Sequence, residues 1–285
     1  MFEIITDNTA DLYEGYYEQN PTHKLPLSFI MEDRFYERDD EYPLELFYEK
    51  LKEGKLVKTS QVNPHDAEVA FEEVLMQGKD LLYISFSSGM SGSFFNISYI
   101  AKGLQIKYPQ RKIYVIDSLS GAGGEGLLVY YAKKMQAEGK SIEEIAEWLE
   151  QNKGNVHHFF IVNDLANLKN SGRISTLAAL LGMIVSIKPV LELTPQGKVG
   201  VVAKALGRKK AISEMGKCFE KKFKPECNDF ILIGHTNCLE EAQEFGNSLA
   251  QFTHGVPIKY GNINRLVAGN AGYRSLAVFF VGEPR

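Results

Sequence analysis

Two hydroxyl-rich stretches carry the side chains best suited to bind an anion. The first is Thr59-Ser60-Gln61, and the second is Ser87-Ser88-Gly89-Met90-Ser91-Gly92-Ser93. In the second, an apolar run at residues 81–84 predicts a buried strand, and a helical pattern follows the turn. A turn between a strand and a helix offers backbone N–H groups, hydroxyls and the positive helix end, so its natural ligand is a carboxylate or phosphate. The alternative is that Ser91 or Ser93 only caps the helix.

The first half of the chain predicts the sheet that positions these turns. Helical patterns alternate with apolar runs, which indicates a mostly parallel α/β sheet. Asp7 and Thr9 follow the first run, at the edge where such sheets bind ligands. Strands are predicted at residues 2–6, 24–31, 81–84 and 113–116, with a hairpin return at 33–36. Helices are predicted at 12–19, after Pro43, after Pro64, at 94–108, up to about Gly139, and from Ser141 to about 149.

Glycines 121, 123, 124 and 126 precede a helical pattern and superficially resemble a dinucleotide-binding loop. Their order differs from G-x-G-x-x-G, and no ribose-binding acid follows a first strand–helix–strand unit. We therefore expect these small residues to let the helix pack closely on its neighbours. Ser141 and Glu144 form a capping-box pattern at the start of the next helix.

The second half begins after a linker-like segment, Asn152-Lys153-Gly154-Asn155, which places a domain boundary between residues 153 and 154. His157 and His158 are adjacent on a predicted strand, so they point to opposite faces and cannot bind one metal ion together. The predicted strands are 156–162, 230–234, 258–263 and 276–281, and a hairpin joins 187–193 to 199–203. The predicted helices are 177–183, one that begins at Gly207, and 239–252.

Composition narrows the class of protein. The 285 residues are 44% hydrophobic and 24% charged with a formal net charge of −4, which gives no electrostatic reason to expect nucleic acid as a partner. No run approaches the roughly twenty apolar residues that span a bilayer, and the N-terminus lacks a basic segment, so we expect a cytoplasmic protein without stable membrane insertion. Cys218, Cys227 and Cys238 lack disulfide or zinc-site spacing, so we expect reduced packing residues and no metal.

Several short motifs occur in a specific order along the chain. They are Thr6-Asp7-Asn8-Thr9-Ala10-Asp11-Leu12, Thr59-Ser60-Gln61, Ser87-Ser88-Gly89-Met90-Ser91-Gly92, Asp117-Ser118, Leu168-Lys169-Asn170-Ser171-Gly172-Arg173-Ile174, Ile187-Lys188-Pro189 and Gly207-Arg208-Lys209-Lys210-Ala211. Together they resemble the DegV family of bacterial fatty-acid-binding proteins, over nearly the whole chain. The resemblance implies two domains: residues 1–153, a parallel sheet flanked by helices, and residues 154–285, an α+β domain that covers the acyl chain.

The resemblance also implies a ligand and a site. The ligand is a long-chain fatty acid such as palmitate, stearate or oleate, and no cofactor is expected. The carboxylate would be bound by Thr59 and Ser91, with Ser60, Gln61, Ser88 and Gly92 close by. Candidates for the walls around the acyl tail are Phe86, Phe94, Phe95 and the segment 177–185.

Family members include acyl-carrier subunits of fatty acid kinase, which are not themselves the phosphotransferase. A separate ATP-dependent kinase subunit phosphorylates the presented carboxylate for phospholipid synthesis. The sequence contains no G-x-x-x-x-G-K-[ST] loop and no kinase signature set, which agrees with a non-catalytic role. The resemblance places Arg173 near the carboxylate, where it would engage the kinase.

The chain departs from the family pattern at two positions. The family usually has His-x-Gly-Pro-Gly where this chain has Asn270-Ala271-Gly272-Tyr273-Arg274, and Asn8 replaces a usual serine. Asn270 can donate a hydrogen bond but carries no charge, so we expect weaker carboxylate binding unless Arg265 or Arg274 compensates. The expectation is a divergent member that binds a fatty acid and has lost or altered delivery to the kinase.

Three other functions compete with this interpretation. A serine hydrolase would need G-x-S-x-G, and the second glycine of that pattern is missing after Ser91. A sensor of a small carboxylate or phosphate could use the same hydroxyl-rich turn, but its site should be short and polar rather than long and apolar. A purely structural interaction protein would leave the hydroxyl cluster unexplained.

Overall fold

The structure is a computed structural model that describes residues 1–38, 41–173 and 187–285. Ile174 and the segment 177–185 lie outside the described residues. The described strands are β1 (Phe2–Asp7), β2 (His23–Leu25), β3 (Leu27–Met31), β4 (Arg34–Tyr36), β5 (Val57–Val62), β6 (Asp80–Ser85), β7 (Ile113–Asp117), β8 (Val156–Ile161), β9 (Ile187–Leu193), β10 (Val199–Leu206), β11 (Ile231–His235), β12 (Ile258–Asn262) and β13 (Leu276–Val281). The described helices are α1 (Tyr16–Gln19), α2 (Leu44–Lys52), α3 (Pro64–Met76), α4 (Ser93–Lys107), α5 (Gly123–Ala137), α6 (Ile142–Asn152), α7 (Ala166–Asn170), α8 (Arg208–Lys222), α9 (Leu239–Leu249) and α10 (Arg265–Ala271).

A four-stranded parallel sheet organises the first half of the chain. Its strand order is β2-β1-β6-β7, and every neighbouring pair is parallel. The helix pairs α3–α4 and α5–α6 pack against it, and residues 81–84 of β6 are fully buried. A strand covered on both faces is apolar at every position, which is why this run was recognisable from the sequence. The predicted parallel sheet flanked by helices is confirmed.

The single strand predicted at 24–31 is wrong, because these residues form two strands in different sheets. β2 pairs with β1, whereas β3 pairs antiparallel with β4 and β5 in a separate three-stranded sheet. Pro26 separates them because proline has no N–H to donate to a sheet. Asn8 bridges the break: its N–H donates to the Leu25 carbonyl at 3.1 Å, and its side chain accepts from the Leu27 N–H at 2.9 Å.

A six-stranded sheet occupies the second half, with the order β10-β9-β8-β13-β11-β12. All neighbours are antiparallel except β11 and β12. The predicted β9–β10 hairpin and final strand are confirmed. Every strand of this sheet follows residue 154, and the described strands of the other two sheets precede it. The domain boundary itself stays a prediction.

Helix α5 lies between the two larger sheets and contacts strands of both. Three of the first four residues of this helix, Gly123, Gly124 and Gly126, are glycines because its neighbours come very close. A Cβ atom at Gly124 would overlap the His158 ring, and one at Gly126 would overlap the backbone oxygen of Asp11. Close packing, predicted as the reason for these glycines, is confirmed.

The first residues of two predicted helices show how well local sequence signals locate a helix N-terminus. The predicted helix at 12–19 begins only at Tyr16, after Gly15 with a left-handed φ of 81°. The capping box is confirmed: the Ser141 hydroxyl accepts from the Glu144 N–H at 3.2 Å, and the Glu144 carboxylate accepts from the Ser141 N–H at 2.8 Å.

Candidate functional site

A mostly apolar cavity lies where the three sheets meet. Its wall combines strands of the three-stranded and six-stranded sheets with turns that follow strands of the four-stranded sheet. The cavity holds about 900 Å³ of space outside protein atoms, its open mouth included. Most of the wall is apolar, with Phe86, Leu193, Leu266 and Phe279 as examples. Such a wall suits a hydrocarbon chain.

Ser91 reaches this cavity from the turn before α4, and its neighbours orient its hydroxyl. The Val62 N–H donates to Ser93 Oγ at 3.2 Å, and Ser93 Oγ lies 3.1 Å from Ser91 Oγ. Ser91 Oγ also accepts from the Ser93 N–H at 3.2 Å. With Ser93 donating to Ser91, the Ser91 proton is available to a ligand oxygen in the cavity. The competing capping interpretation accounts for the Ser93 N–H contact but not for the position of Ser91 in the wall.

Thr59 and Ser60 come to the same cavity on β5, where the register of the three-stranded sheet shifts. Ser60 Oγ accepts from the Ser28 N–H at 3.0 Å and donates to the Gln61 carbonyl at 2.9 Å, so its hydroxyl holds the strand in place. The Thr59 hydroxyl makes no hydrogen bond to another described residue. Thr59 is therefore the hydroxyl on this strand that can serve a ligand, and Ser60 supports it.

Arg173 places a positive charge in the cavity wall. Its Nη1 donates to the Ser171 carbonyl at 2.6 Å, and within the described residues no carboxylate pairs with it. Burial of about half of this side chain lowers the pKa of Arg173 from its usual value, yet a guanidinium stays charged at neutral pH. A half-buried cation without a counter-ion favours an anionic ligand.

Asn270 lines the cavity, but with an orientation different from the expected one. Its Nδ2 donates to the Leu266 carbonyl at 2.8 Å, and a carbonyl can only accept, so this assignment of nitrogen and oxygen is fixed. Its Oδ1 is buried and has no hydrogen-bond partner in the described part of the chain. The expected donation to a carboxylate is thus only available from the second Nδ2 hydrogen, and the unpaired oxygen would repel an anion.

Three predicted site residues, Gln61, Ser88 and Gly92, do not line the cavity. Gln61 accepts from Asn96 at 2.6 Å and packs against Gly92, where a Cβ would lie 2.5 Å from its Nε2. The Ser88 N–H donates to Asp117 Oδ1 at 3.0 Å. These residues shape the turns around Thr59 and Ser91.

Arg274 also lies away from the cavity, as does Arg265. Arg274 Nη2 is 3.4 Å from Glu241 Oε1, and Glu241 also binds Arg208. Arg265 donates to the Tyr42 carbonyl at 2.6 Å. The structure therefore brings neither arginine to Asn270, and compensation by either is not supported.

Of the three phenylalanines predicted as walls around the acyl tail, one lines the cavity. Phe86 lines the cavity and packs on Gly121, whereas Phe94 and Phe95 do not line it, and Phe95 is 63% exposed. Sequence reasoning missed His158 as a wall residue. Its side chain faces away from His157, which bonds to the Glu283 carbonyl at 2.6 Å, so the predicted opposite orientation of the two rings is confirmed. The alternation was visible in the sequence, but the cavity beside His158 was not.

A buried pair of acids, Asp7 and Glu125, lies beneath this wall and is joined by Thr9, which lines the cavity. Asp7 accepts from the backbone N–H groups of Thr9 at 2.9 Å and Phe86 at 3.0 Å, so it is the acid prepared to hold a negative charge. The Thr9 hydroxyl lies 2.5 Å from Asp7 and 2.7 Å from Glu125.

That hydroxyl has only one proton to give, and Glu125 accepts from no backbone N–H group within the described residues. With the Thr9 proton on Asp7, the Thr9–Glu125 contact must use a proton of Glu125 itself. Burial and the charge of Asp7 raise the pKa of Glu125 well above its usual value. The hydrogen bonds therefore place one proton on Glu125 and the negative charge on Asp7.

The model of the DegV family, described as an uncharacterised protein family, matches residues 1–283. The chain belongs to the DegV family. A DegV domain-containing protein of Clostridium perfringens is 38% identical over 287 aligned positions, which cover 100% of this chain and 98% of that protein.

Two solved DegV structures are similar along their full length. The fatty-acid-binding protein DegV from Bacillus subtilis is 26% identical, with a TM-score of 0.83 and 99% of each chain covered. A DegV family protein from Thermus thermophilus, whose structure concerns fatty acid binding, is 25% identical with a TM-score of 0.86, again with 99% of each chain covered. Within the described ranges of this DegV chain, no helix could cross a membrane, and no cluster of His, Cys, Asp and Glu could hold a metal ion.

Proposed function

We propose that this DegV protein binds one long-chain fatty acid, such as palmitate, stearate or oleate, with its carboxylate at Thr59, Ser91 and Arg173. The observation that carries the proposal is Arg173, a half-buried cation without a carboxylate partner among the described residues, beside two available hydroxyls in a mostly apolar cavity. Its solved relatives from B. subtilis and T. thermophilus are fatty-acid-binding proteins, which supports the same ligand class here.

The apolar wall supplies the affinity in this proposal. Burying a chain of about sixteen carbons at roughly 0.8 kcal/mol per methylene contributes on the order of 10 kcal/mol. A buried carboxylate left unpaired would cancel several kcal/mol of this, which is why hydroxyl donors and a guanidinium must meet it. The apolar wall of the cavity disfavours the alternative, a sensor of a small carboxylate or phosphate, whose site should be polar.

Native mass spectrometry of the purified protein tests the proposal, followed by denaturing extraction and identification of any released lipid. The expected result is a mass increment equal to one fatty acid. After delipidation, calorimetry should show one-to-one binding of palmitate or oleate and no binding of acetate or inorganic phosphate. A protein that is empty as purified and that also refuses both fatty acids would overturn the proposal, and tight phosphate binding would favour the sensor.

The second part of the proposal is that the protein is a non-catalytic carrier, which presents the carboxylate to a separate ATP-dependent fatty acid kinase. This rests on the family resemblance and on the position of Arg173 at the cavity. The test is acyl phosphate formation from the loaded protein, ATP and a DegV-partner kinase subunit, trapped with hydroxylamine. The protein alone with ATP should form none. Product formed without the kinase would refute the carrier role, and no product with it would mean that delivery has been lost.

A further inference from the structure

Helix α4 presents an apolar stripe to solvent, which we call the α4 stripe. Phe95, Tyr99 and Ile106 are 63%, 81% and 83% exposed, and their spacing of four and seven residues places them on one face of the helix. A single exposed apolar side chain is ordinary, but three along one helix face form a patch. Exposed apolar patches on folded proteins mark interaction sites.

Helix α3 lies beside α4 and runs in the same direction. Their starts are joined, because the Val62 N–H just before α3 donates to Ser93 Oγ, in the first residue of α4, at 3.2 Å. Their ends are joined as well, because the hydroxyl of Tyr108, just after α4, donates to Glu72 near the end of α3 at 2.6 Å. The two helices therefore form one outer face.

The outer side of α3 carries a second stripe, the α3 stripe, at matching positions. Val69 and Met76 are exposed, and the seven residues between them equal the spacing of Tyr99 and Ile106. Because the helices start together, Val69 lies at the level of Tyr99, and Met76 lies at the level of Ile106. The same apolar spacing thus occurs twice on this face.

A charge of opposite sign lies within each stripe. Lys102 lies between the last two residues of the α4 stripe, and Glu73 lies between the two residues of the α3 stripe. Both side chains are exposed, and within the described ranges neither makes an ion pair. The α3 stripe is therefore apolar, acidic, apolar, and the α4 stripe is apolar, basic, apolar.

We propose that this face binds a second copy of the same chain, with the α3 stripe of each copy packed on the α4 stripe of the other. A two-fold axis parallel to the helices gives this arrangement, because it exchanges α3 with α4 and makes the contact self-complementary. Each Glu73 then meets Lys102 of the partner subunit, while the apolar residues on either side are buried. An anionic lipid surface fits less well, because acidic Glu73 lies at the same height as Lys102.

The size of the face sets the strength of the dimer. The helices have 13 and 15 residues, so each is about 20 Å long. A face of two such helices is at the small end of specific interfaces and suits a reversible dimer rather than an obligate one. The inference does not rest on the proposed function, because no residue of the cavity is needed for it.

Sedimentation velocity of the full-length protein, from about 5 to about 200 µM, tests the proposal. The wild type should shift from monomer to dimer as concentration rises. Lys102→Glu and Glu73→Lys should each raise the dissociation constant of the dimer at least about tenfold, because each places like charges opposite one another at two points. An equimolar mixture of the two variants should dimerise again, because every acid then faces a base.

Lys221→Glu serves as the matched control, because this exposed lysine lies on α8, which packs on the six-stranded sheet. It should dimerise as the wild type does, and circular dichroism should show that all variants fold. A wild type that stays monomeric up to about 200 µM would overturn the proposal, as would dimers unaffected by either charge reversal or a mixture that does not recover.

A third result would assign the face to another protein. If the wild type is monomeric and Tyr99→Glu forms less acyl phosphate with the kinase subunit, the α4 stripe belongs to the kinase, and the dimer is rejected. Palmitate calorimetry on the wild type tests the proposed function separately, so the failure of one proposal does not resemble the failure of the other.

Discussion

Glu125→Gln should flatten the dependence of folding stability on pH. In the unfolded chain, a glutamate loses its proton near pH 4.3, whereas the folded protein keeps the Glu125 proton until its raised pKa is reached. Between these two values the unfolded state binds one proton fewer than the folded state. The free energy of unfolding therefore falls as pH rises through this window.

The size of this pH dependence follows from the titration of a single proton. The slope reaches about 1.4 kcal/mol per pH unit, so two units within the window cost the wild type about 2.7 kcal/mol. Glutamine does not titrate, and its amide can donate to Thr9 Oγ1 as the protonated acid does. The buried histidines have lowered pKa values and contribute a slope of opposite sign, but they are common to both proteins and cancel in the difference.

Urea unfolding followed by the fluorescence of Trp148, at intervals from pH 5 to 8, measures this difference. The slope rather than the absolute stability is diagnostic, because replacing the carboxyl group by an amide also changes the hydrogen bonds to Thr6 and Thr9. Glu138→Gln, at the exposed end of the same helix, removes one carboxylate without touching the buried pair and serves as the control. Parallel stability profiles for the wild type and Glu125→Gln would refute the assignment of the proton to Glu125.

Three further predictions concern the cavity and its supports. Thr59→Val and Ser91→Ala should each weaken palmitate binding in calorimetry by roughly 1 to 3 kcal/mol with unchanged thermal stability, because a buried carboxylate loses a donor; unchanged affinity in both would remove them from the site. Asn270→His should tighten palmitate binding about tenfold below the histidine pKa, because it replaces an unpaired oxygen with a cation, and a titration at pH 6 without gain would contradict this. Gly124→Ala should destabilise the fold by roughly 1 to 3 kcal/mol in urea unfolding, since the added methyl overlaps His158, whereas Gly103→Ala in α4, which has open space, should not.

Local patterns predicted most of the strands and the turns that follow them. Continuous apolar runs identified β6 and β13, and alternating hydroxyls and glycines identified the turn that carries Ser91. The break at Pro26 was missed, because the apolar residues on both sides of it, Leu25, Leu27, Phe29 and Met31, recur at every second position as they would in one strand. Only the pairing with distant partners places them in different sheets.

The family resemblance predicted which residues lie together at the cavity, whereas the pairing of distant charges was not predictable from the sequence. Thr59, Ser91 and Arg173 do meet at one cavity. Arg274 does not line this cavity, and it pairs with Glu241 in α9 instead. The same limit applies to Asn270, whose orientation depends on the Leu266 carbonyl one turn earlier, and to His158, whose place in the cavity wall depends on the packed structure.

The tip of the β9–β10 hairpin touches the turn after β6, more than a hundred residues earlier in the chain. Ser87 Oγ donates to the Gly197 carbonyl at 2.8 Å, and at Gly89 a Cβ would come within 2.5 Å of the Gln196 carbonyl. Because a chain leaves the ribosome from its N-terminus, the turn that carries Ser91 is made well before the hairpin that closes over it. A nascent chain that ends before β10 would expose the apolar side of the unfinished cavity. Under the proposed function, a fatty acid can therefore be loaded only after the second half has been synthesised.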